Sequence, residues 1–347
     1  MKHYLLPENV NWYRANMHCH STISDGSLTP EQLKEAYKNH GYSILAITDH
    51  EILVDHSDLN DESFLTLTAS EYSINDGAPM FPVKDGAESA GWTRRKTIHM
   101  CVFSKDPHPT CQPASNAESI AWVKSPYKDK MTVDGHHRVY SKEGINESIR
   151  ILNENGFLVQ YNHPNWSLND REDYLALEGV WSLEILNYAT EILTGAEYCP
   201  YIYDEMLRNG KTLFCSMGDD NHNRGGSLEQ SFGGSTMIGA DELTYDKVFS
   251  AMEKGEFYCT SGRDNPPLIH ALYIEDNVIK VDCSPAVAVF VNGYCRAFRR
   301  VVGEDITHAE FKLDPNDVYF RITVRDKFGN NAHTHFYKVS DLLNKGE

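Results

Sequence analysis

The segment Asn16-Met17-His18-Cys19-His20 is followed at short distance by Ser24-Asp25-Gly26. Two histidines two apart on extended chain turn their imidazoles to one face, with Met17 and Cys19 turned away. Two imidazoles on one face make half of a metal site. Asp25 lies five residues on, where a bend returns it to the same place. One H-x-H pair in a chain with 16 histidines is also what chance yields, so the weight comes from its companions. Six more residues of metal-ligand type stand at spaced positions: His50 in Asp49-His50, Glu71, His99, His163 in Asn162-His163-Pro164, and Asp220 with His222.

The elements that position them read as an alternation of strand and helix. The first strand ends near His20. Thr29-Pro30-Glu31-Gln32 opens a helix, with Thr29 as N-cap, Pro30 in the first turn and Gln32 at capping-box spacing. Tyr42–Thr48 is a short apolar run of the buried-strand kind and finishes in Asp49-His50. Further strands are predicted at 64–69, ending at Ser70-Glu71, then at 97–103 with His99 inside, and at 157–161, 181–187 and 211–217. Helices are expected over 142–155 and 196–208. His20, His50, Glu71, His163 and the Asp220/His222 pair fall at or just past strand C-termini. In parallel α/β architectures those ends share one rim. A buried imidazole or carboxylate is costly unless paired or ligated, so nine such residues on one rim point to a metal cluster.

Two stretches break the rhythm. Residues 75–96 are rich in Gly, Pro and charge, and residues 105–140 carry several prolines and His136-His137. They fit lids or substrate walls as well as surface decoration. After Pro266-Pro267 the texture becomes short strands at 278–283, 287–291, 310–313 and 318–324, with turns between and no long helix. That pattern predicts a small antiparallel β domain over 266–347, after a first domain over 1–265.

Composition bounds the function. The chain has 347 residues and a formal net charge of −18, which argues against a general nucleic-acid surface. No apolar run reaches the roughly 20 residues that span a bilayer, and the first residues lack the apolar core of a secretory signal. Eight scattered cysteines without a C-x-x-C pair read as reduced thiols, and a cytoplasmic location is expected. No G-x-x-x-x-G-K-S/T loop, G-x-G-x-x-G loop or G-x-S-x-G elbow is present.

In order, His18-x-His20, Asp25-Gly26, Asp49-His50, Glu71, His99, Asn162-His163-Pro164 and Asp220-x-His222 resemble the PHP (polymerase and histidinol phosphatase) family, over residues 14–265. The chain also resembles those members that carry a small β domain after the PHP domain. The resemblance implies an α/β fold, a distorted (β/α)7 TIM-like barrel with two or three divalent metals, zinc, manganese or iron, on its C-terminal rim. It implies that His18, His20, Glu71 and Asp220 hold one metal. Glu71 would bridge to a second, held by His99 and His163, and Asp25, His50 and His222 would hold a third. Some members have His where this chain has Asp25, and a carboxylate there favours harder ions. Glu184 falls on a strand of the family that is not usually a ligand.

Such a cluster suits hydrolysis of a phosphate ester by a metal-activated hydroxide, with Asp220 managing the proton. Arg224 and Arg263 are the nearest candidates by sequence for holding remaining phosphate charge; either also fits a surface charge. Arg94, Arg95, Lys96 and Arg138 are weaker candidates. The expected activity is a phosphatase acting on a small phosphorylated metabolite, of nucleotide or amino-alcohol phosphate type. Alternatives are an exonuclease on nucleic-acid ends, an amide or lactone hydrolase, and a non-catalytic metal-containing binding protein.

Overall fold

The computed structural model describes residues 2–77, 80–81, 92–93, 95–123, 127–296 and 299–343. It is a mixed α/β architecture built on one long, open sheet. The strands that bear on the site are β1 (Asn11–Asn16), β2 (Ile44–Ile47), β3 (Leu65–Asn75), β4 (Thr97–Ser104), β5 (Phe157–Tyr161), β6 (Ser182–Asn187) and β7 (Phe214–Gly218). They lie side by side in chain order. The intervening helices include α1 (Pro30–Asn39), α2 (Lys142–Glu154), α3 (Arg171–Ala176), α4 (Tyr188–Thr194) and α5 (Pro200–Arg208).

Strand direction departs from a (β/α)7 barrel. β1, β2 and β3 run parallel, and so do β5, β6 and β7. β4 runs antiparallel to both of its neighbours. The reason lies in β3, which continues past Glu71 to Asn75 and forms a long hairpin with β4. An apolar run announces a buried strand but not its direction. Closure also fails as a ladder. Among the described residues β7 and β1 share no ladder; the chain meets around their ends, through the Cys19/Asn221 bridge, His20 N–H to Asn221 O (3.1 Å), Asp220 N–H to His18 O (2.8 Å) and Asp219 N–H to Asn16 Oδ1 (3.0 Å). The barrel expectation therefore holds as a mixed α/β sheet with its rim drawn together, not as a closed barrel.

Local signals explain the helices near the site. At α1 the Thr29 hydroxyl accepts from the Gln32 N–H and the Gln32 side chain accepts from the Thr29 N–H, satisfying two donors that a helix start leaves open. Leu33 and Tyr37 of α1 are buried, and the Tyr37 hydroxyl lies 2.7 Å from Asp219 Oδ2 and 2.8 Å from Asn221 Oδ1. The helix thus packs against the segment that carries Asp220. Ser141 caps α2 with a single bond, its hydroxyl accepting from Gly144 N–H.

On the other side of β1 the sheet continues antiparallel through β8 (Gly234–Ala240) and β9 (Phe257–Ser261), joined by α6 (Tyr245–Lys254). The C-terminal strands are β10 (Ile269–Glu275), β11 (Val278–Gly293), β12 (Arg299–Lys312), β13 (Tyr319–Arg325) and β14 (Asn331–Thr334). β14 pairs with β9, so the antiparallel part is laddered to the rest. Its core holds Leu272, Ile279, Val281, Val289, Phe320, Ile322 and Val324. The two strands expected at 278–283 and 287–291 are one strand whose register shifts between Asp282 and Ala288. Pro285 lies in that bulge, where a missing N–H costs no ladder bond. No helix among the described residues is long and apolar enough to cross a membrane.

Candidate metal centre

All nine residues come to one rim. His18 and His20 sit just past β1 rather than within it. His50 follows β2, His163 follows β5, and Asp220 and His222 follow β7. Glu71 lies in the middle of β3 instead of at its end, because that strand is longer than the apolar pattern shows. His99 is the third residue of β4; on a strand of reversed direction the first residues face the rim.

Glu71 is the centre of the arrangement. Its Oε2 lies 3.3 Å from both His18 Nε2 and His20 Nε2, and 3.2 Å from His50 Nδ1. Its Oε1 lies 3.1 Å from His99 Nδ1 and 3.0 Å from His163 Nε2. Asp220 Oδ1 is 2.9 Å from His20 Nε2 and 3.2 Å from His18 Nε2. Asp25 lies 3.2 Å from His222 Nε2 and 3.7 Å from His50 Nε2. Donor atoms fall into four overlapping groups: His18, His20, Glu71 and Asp220; Glu71, His99 and His163; His18, His163 and Glu184; His20, Asp25, His50 and His222. The last group adds His20, which stands between two groups as Glu71 does.

The residues fit metal better than they fit one another. His18 Nε2 and His20 Nε2 face each other at 3.3 Å. Asp220 Oδ1 and His20 Nδ1 are buried yet make no hydrogen bond of acceptable geometry. Donor separations near 3.3 Å match the edge of a coordination shell, about 3.4 Å for ligands some 2.1 Å from an ion. His18, His20, Glu71 and His163 are 2 % exposed or less, and the set offers imidazole nitrogen and carboxylate oxygen, which suits zinc, manganese or iron.

Electrostatics without an ion follow from the crowding. Burial pulls His20 down, but the close carboxylates of Asp220 and Glu71 win and raise it to about 10. His163 rises to about 9, against burial, chiefly through Glu71. His50 falls to about 3, through burial and the charge of His20. Burial opposes ionisation of Glu71 and Asp220, yet the surrounding imidazoles, His18 foremost, hold both well below the usual carboxylate range.

A further set of side chains orients these groups. Glu184 Oε1 is 3.1 Å from His18 Nδ1, which leaves His18 Nε2 directed at Glu71 and Asp220. Asn187 donates to both Glu184 Oε2 (3.0 Å) and Asp220 Oδ2 (2.9 Å). Asn162 donates to Glu71 Oε1 (2.8 Å), and Ser167 Oγ lies 3.1 Å from His163 Nδ1. Asp49 accepts from Ser21 N–H (2.8 Å), Ser24 N–H (3.1 Å) and Ser24 Oγ (2.6 Å), pinning the segment that leads to Asp25. Asp219 accepts from the N–H groups of Phe232, Gly233 and Gly234 at 2.7–2.9 Å. Gly26 belongs here by close approach: a Cβ on it would stand 2.2 Å from His20 O.

The sequence expectations for substrate arginines meet a different geometry. Arg263 donates to Leu228 O (3.2 Å) and lines a cavity with Tyr188, Glu191 and Tyr198. Arg224 is exposed on a short turn, Arg224–Gly226. Arg138 is half-buried and paired with Glu51, and Lys96 pairs with Asp170 and Asp173. Arg94 lies outside the described residues. Two tryptophans flank the cluster. Trp122 is 50 % exposed with its ring 6.5 Å from His50; Trp166 is 52 % exposed with its ring 5.1 Å from His163 and 5.4 Å from His99. The spacing His163-Pro164-Asn165-Trp166 was a signal for the second; the first lies in an irregular insertion and had none.

No family model matches the sequence, and neither does any curated protein. Among solved structures, the chain is similar to a two-domain protein containing a predicted PHP-like metal-dependent phosphoesterase from Bacteroides vulgatus. The identity is 12 %, the TM-score 0.45, and the match covers 96 % of this chain and 97 % of that one. It is also similar to a candidate metal-dependent phosphoesterase from Bifidobacterium adolescentis, at 17 % identity and TM-score 0.39, covering 61 % of this chain and 88 % of that one. An amidohydrolase from Chromobacterium violaceum, with bound sulfate and no metal, matches at 15 % identity and TM-score 0.41, covering 70 % of this chain and 96 % of that one.

Proposed function

We propose that this chain is a metal-dependent phosphoesterase that removes phosphate from a small phosphorylated molecule in the cytoplasm. The nine residues His18, His20, Asp25, His50, Glu71, His99, His163, Asp220 and His222 hold two or three divalent ions. The observation that carries this is the clustering of buried imidazoles around Glu71 and Asp220, with Asp220 Oδ1 and His20 Nδ1 lacking hydrogen-bond partners. Ions bound there would supply positive charge to phosphoryl oxygens and lower the pKa of water.

The protein's own part is to hold and orient. Glu184 directs His18 and Asn187 directs Asp220, so Asp220 keeps one oxygen toward His18 and His20 and the other hydrogen-bonded. That placement supports Asp220 as the group that passes a proton at the reacting centre. His50, Asp25 and His222, more open to solvent than His18, His20 or Glu71, form the side from which a phosphate enters. The reading also takes residues 1–265 as the catalytic part and 266–347 as an accessory β domain. The net charge of −18 weighs against nucleic acid as the partner.

The test is phosphate release by the manganese-loaded protein on nucleotides, sugar phosphates and amino-alcohol phosphates, beside His18→Ala. Release that the variant loses supports the proposal. No release from protein that holds its metals, with hydrolysis of polymer ends or of carbonyl substrates instead, would reject it.

A further inference from the structure

Trp122 stands between the cluster and a neighbouring cavity. Its indole is half exposed and lies next to His50. It also lines a cavity of about 400 Å³ whose walls include Glu51, Asn75, Glu118, Ser119 and Arg138. The cation in this wall is already neutralised. Arg138 pairs with the Glu51 carboxylate, donates to Ser73 O (3.3 Å) and lies over the Tyr72 ring at 4.6 Å. The amide of Asn116 is likewise taken, by His136 O on one side and by the N–H groups of Glu118 and Ser119 on the other. What the described walls offer a ligand is an indole face, the Glu118 carboxylate, the His137 imidazole, whose Nδ1 lies 3.3 Å from Asn116 Nδ2, and the short polar side chains of Ser119 and Asn75.

This chemistry discriminates among leaving groups. A second phosphate would meet the Glu118 carboxylate, and the one guanidinium among the described lining residues is already paired with Glu51. A nucleobase edge alternates donors and acceptors, and a carboxylate answers only the donors. A saturated ring bearing hydroxyls matches these walls, since a hydroxyl can donate to or accept from the imidazole as well. Its C–H face covers the indole, adjacent hydroxyls donate to the two carboxylate oxygens, and the hydroxyl and amide exchange the remaining bonds.

We infer that this cavity takes the leaving group, and that the leaving group is a neutral polyhydroxylated ring of monosaccharide size. The inference rests on the phosphoesterase reading. Sugar phosphate and water give sugar and inorganic phosphate: water oxygen bonds to phosphorus, the bond from phosphorus to the sugar oxygen breaks, and that oxygen takes a proton.

The experiment has two arms on the full chain. In the first, kcat/KM for phosphate release is compared between hexose phosphates, glycerol phosphate and adenosine monophosphate, for the manganese-loaded protein and for Trp122→Ala, Trp122→Phe and Glu118→Gln. In the second, free glucose, galactose and mannose are titrated against zinc-loaded protein and the same variants, with saturation-transfer NMR as readout. The inference expects hexose phosphates to be preferred, a loss of about tenfold in Trp122→Ala with partial recovery in Trp122→Phe, and sugar signals that weaken in Trp122→Ala and Glu118→Gln. Sugar binding that depends on Trp122 without phosphate release would uphold the subsite and reject the reaction. Release from adenosine monophosphate or glycerol phosphate, with no sugar signal, would overturn the subsite and leave the reaction standing.

Discussion

At the residue scale, the cluster depends on groups that touch ligands rather than on ligands alone. Glu184 is buried and lies 3.1 Å from His18 Nδ1. Glu184→Gln keeps the shape but removes the charge that favours one tautomer of His18, so its nearest metal should be lost more readily. We expect a fall of roughly 10- to 100-fold in metal affinity, read by competition with a chelating dye while circular dichroism stays unchanged. A variant with wild-type affinity would mean that Glu184 only fills space. The metal-ligand types were legible in the sequence because imidazoles and carboxylates announce themselves. Glu184 was seen as a non-ligand, but its contact with His18 was not, since nothing in spacing ties residue 18 to residue 184.

At the element scale, rigidity of the segment after β1 decides whether Asp25 reaches its place. Asp49 organises that segment through Ser21 and Ser24. Removing its carboxylate leaves N–H groups unmet, a cost of about 1–3 kcal/mol. Asp49→Ala should therefore lower the melting temperature and reduce bound metal selectively, sparing the ions nearest Glu71. Metal analysis at limiting chelator would show an unchanged stoichiometry if Asp49 had no such role. The helix start at Thr29 was legible in four residues, because a capping box is local. The direction of β4 was not, because it depends on how far β3 extends before it turns back.

At the scale of the whole molecule, two couplings follow. Arg321 on β13 is buried and makes a two-pronged pair with Asp204 on α5, both contacts at 2.7 Å. Breaking such a pair costs about 3–5 kcal/mol. Arg321→Ala should lower thermal stability markedly while the folded fraction keeps its metal stoichiometry; an unchanged melting temperature would contradict this. The second coupling is to pH. In metal-free protein His20 and His163 carry pKa values raised to about 10 and about 9, above the ordinary 6.5. Their contribution to stability is thus complete below pH 6.5 and is lost as pH rises through 9 to 10. Glu71 and Asp220, held low, contribute above the ordinary carboxylate range and lose that contribution in acid. Protons on His20 and His163 compete with metal, so the rise in melting temperature on adding zinc or manganese should grow from pH 6 to pH 9. A gain independent of pH would show that the imidazoles are not the ligands.

The sequence by itself determined which residue types are present, that they stand beside apolar strand runs, and that local caps start the helices where they do. These are properties of a few neighbouring residues, governed by steric fit and hydrogen bonding within a turn or a strand. Only the tertiary structure decided that Glu71 sits mid-strand, that His99 reaches the rim from a reversed strand, that the sheet stays open, and that Trp122 and Trp166 flank the cluster. Those outcomes depend on how far each strand finds partners and on where long insertions pack, which are sums over contacts between residues distant in the chain.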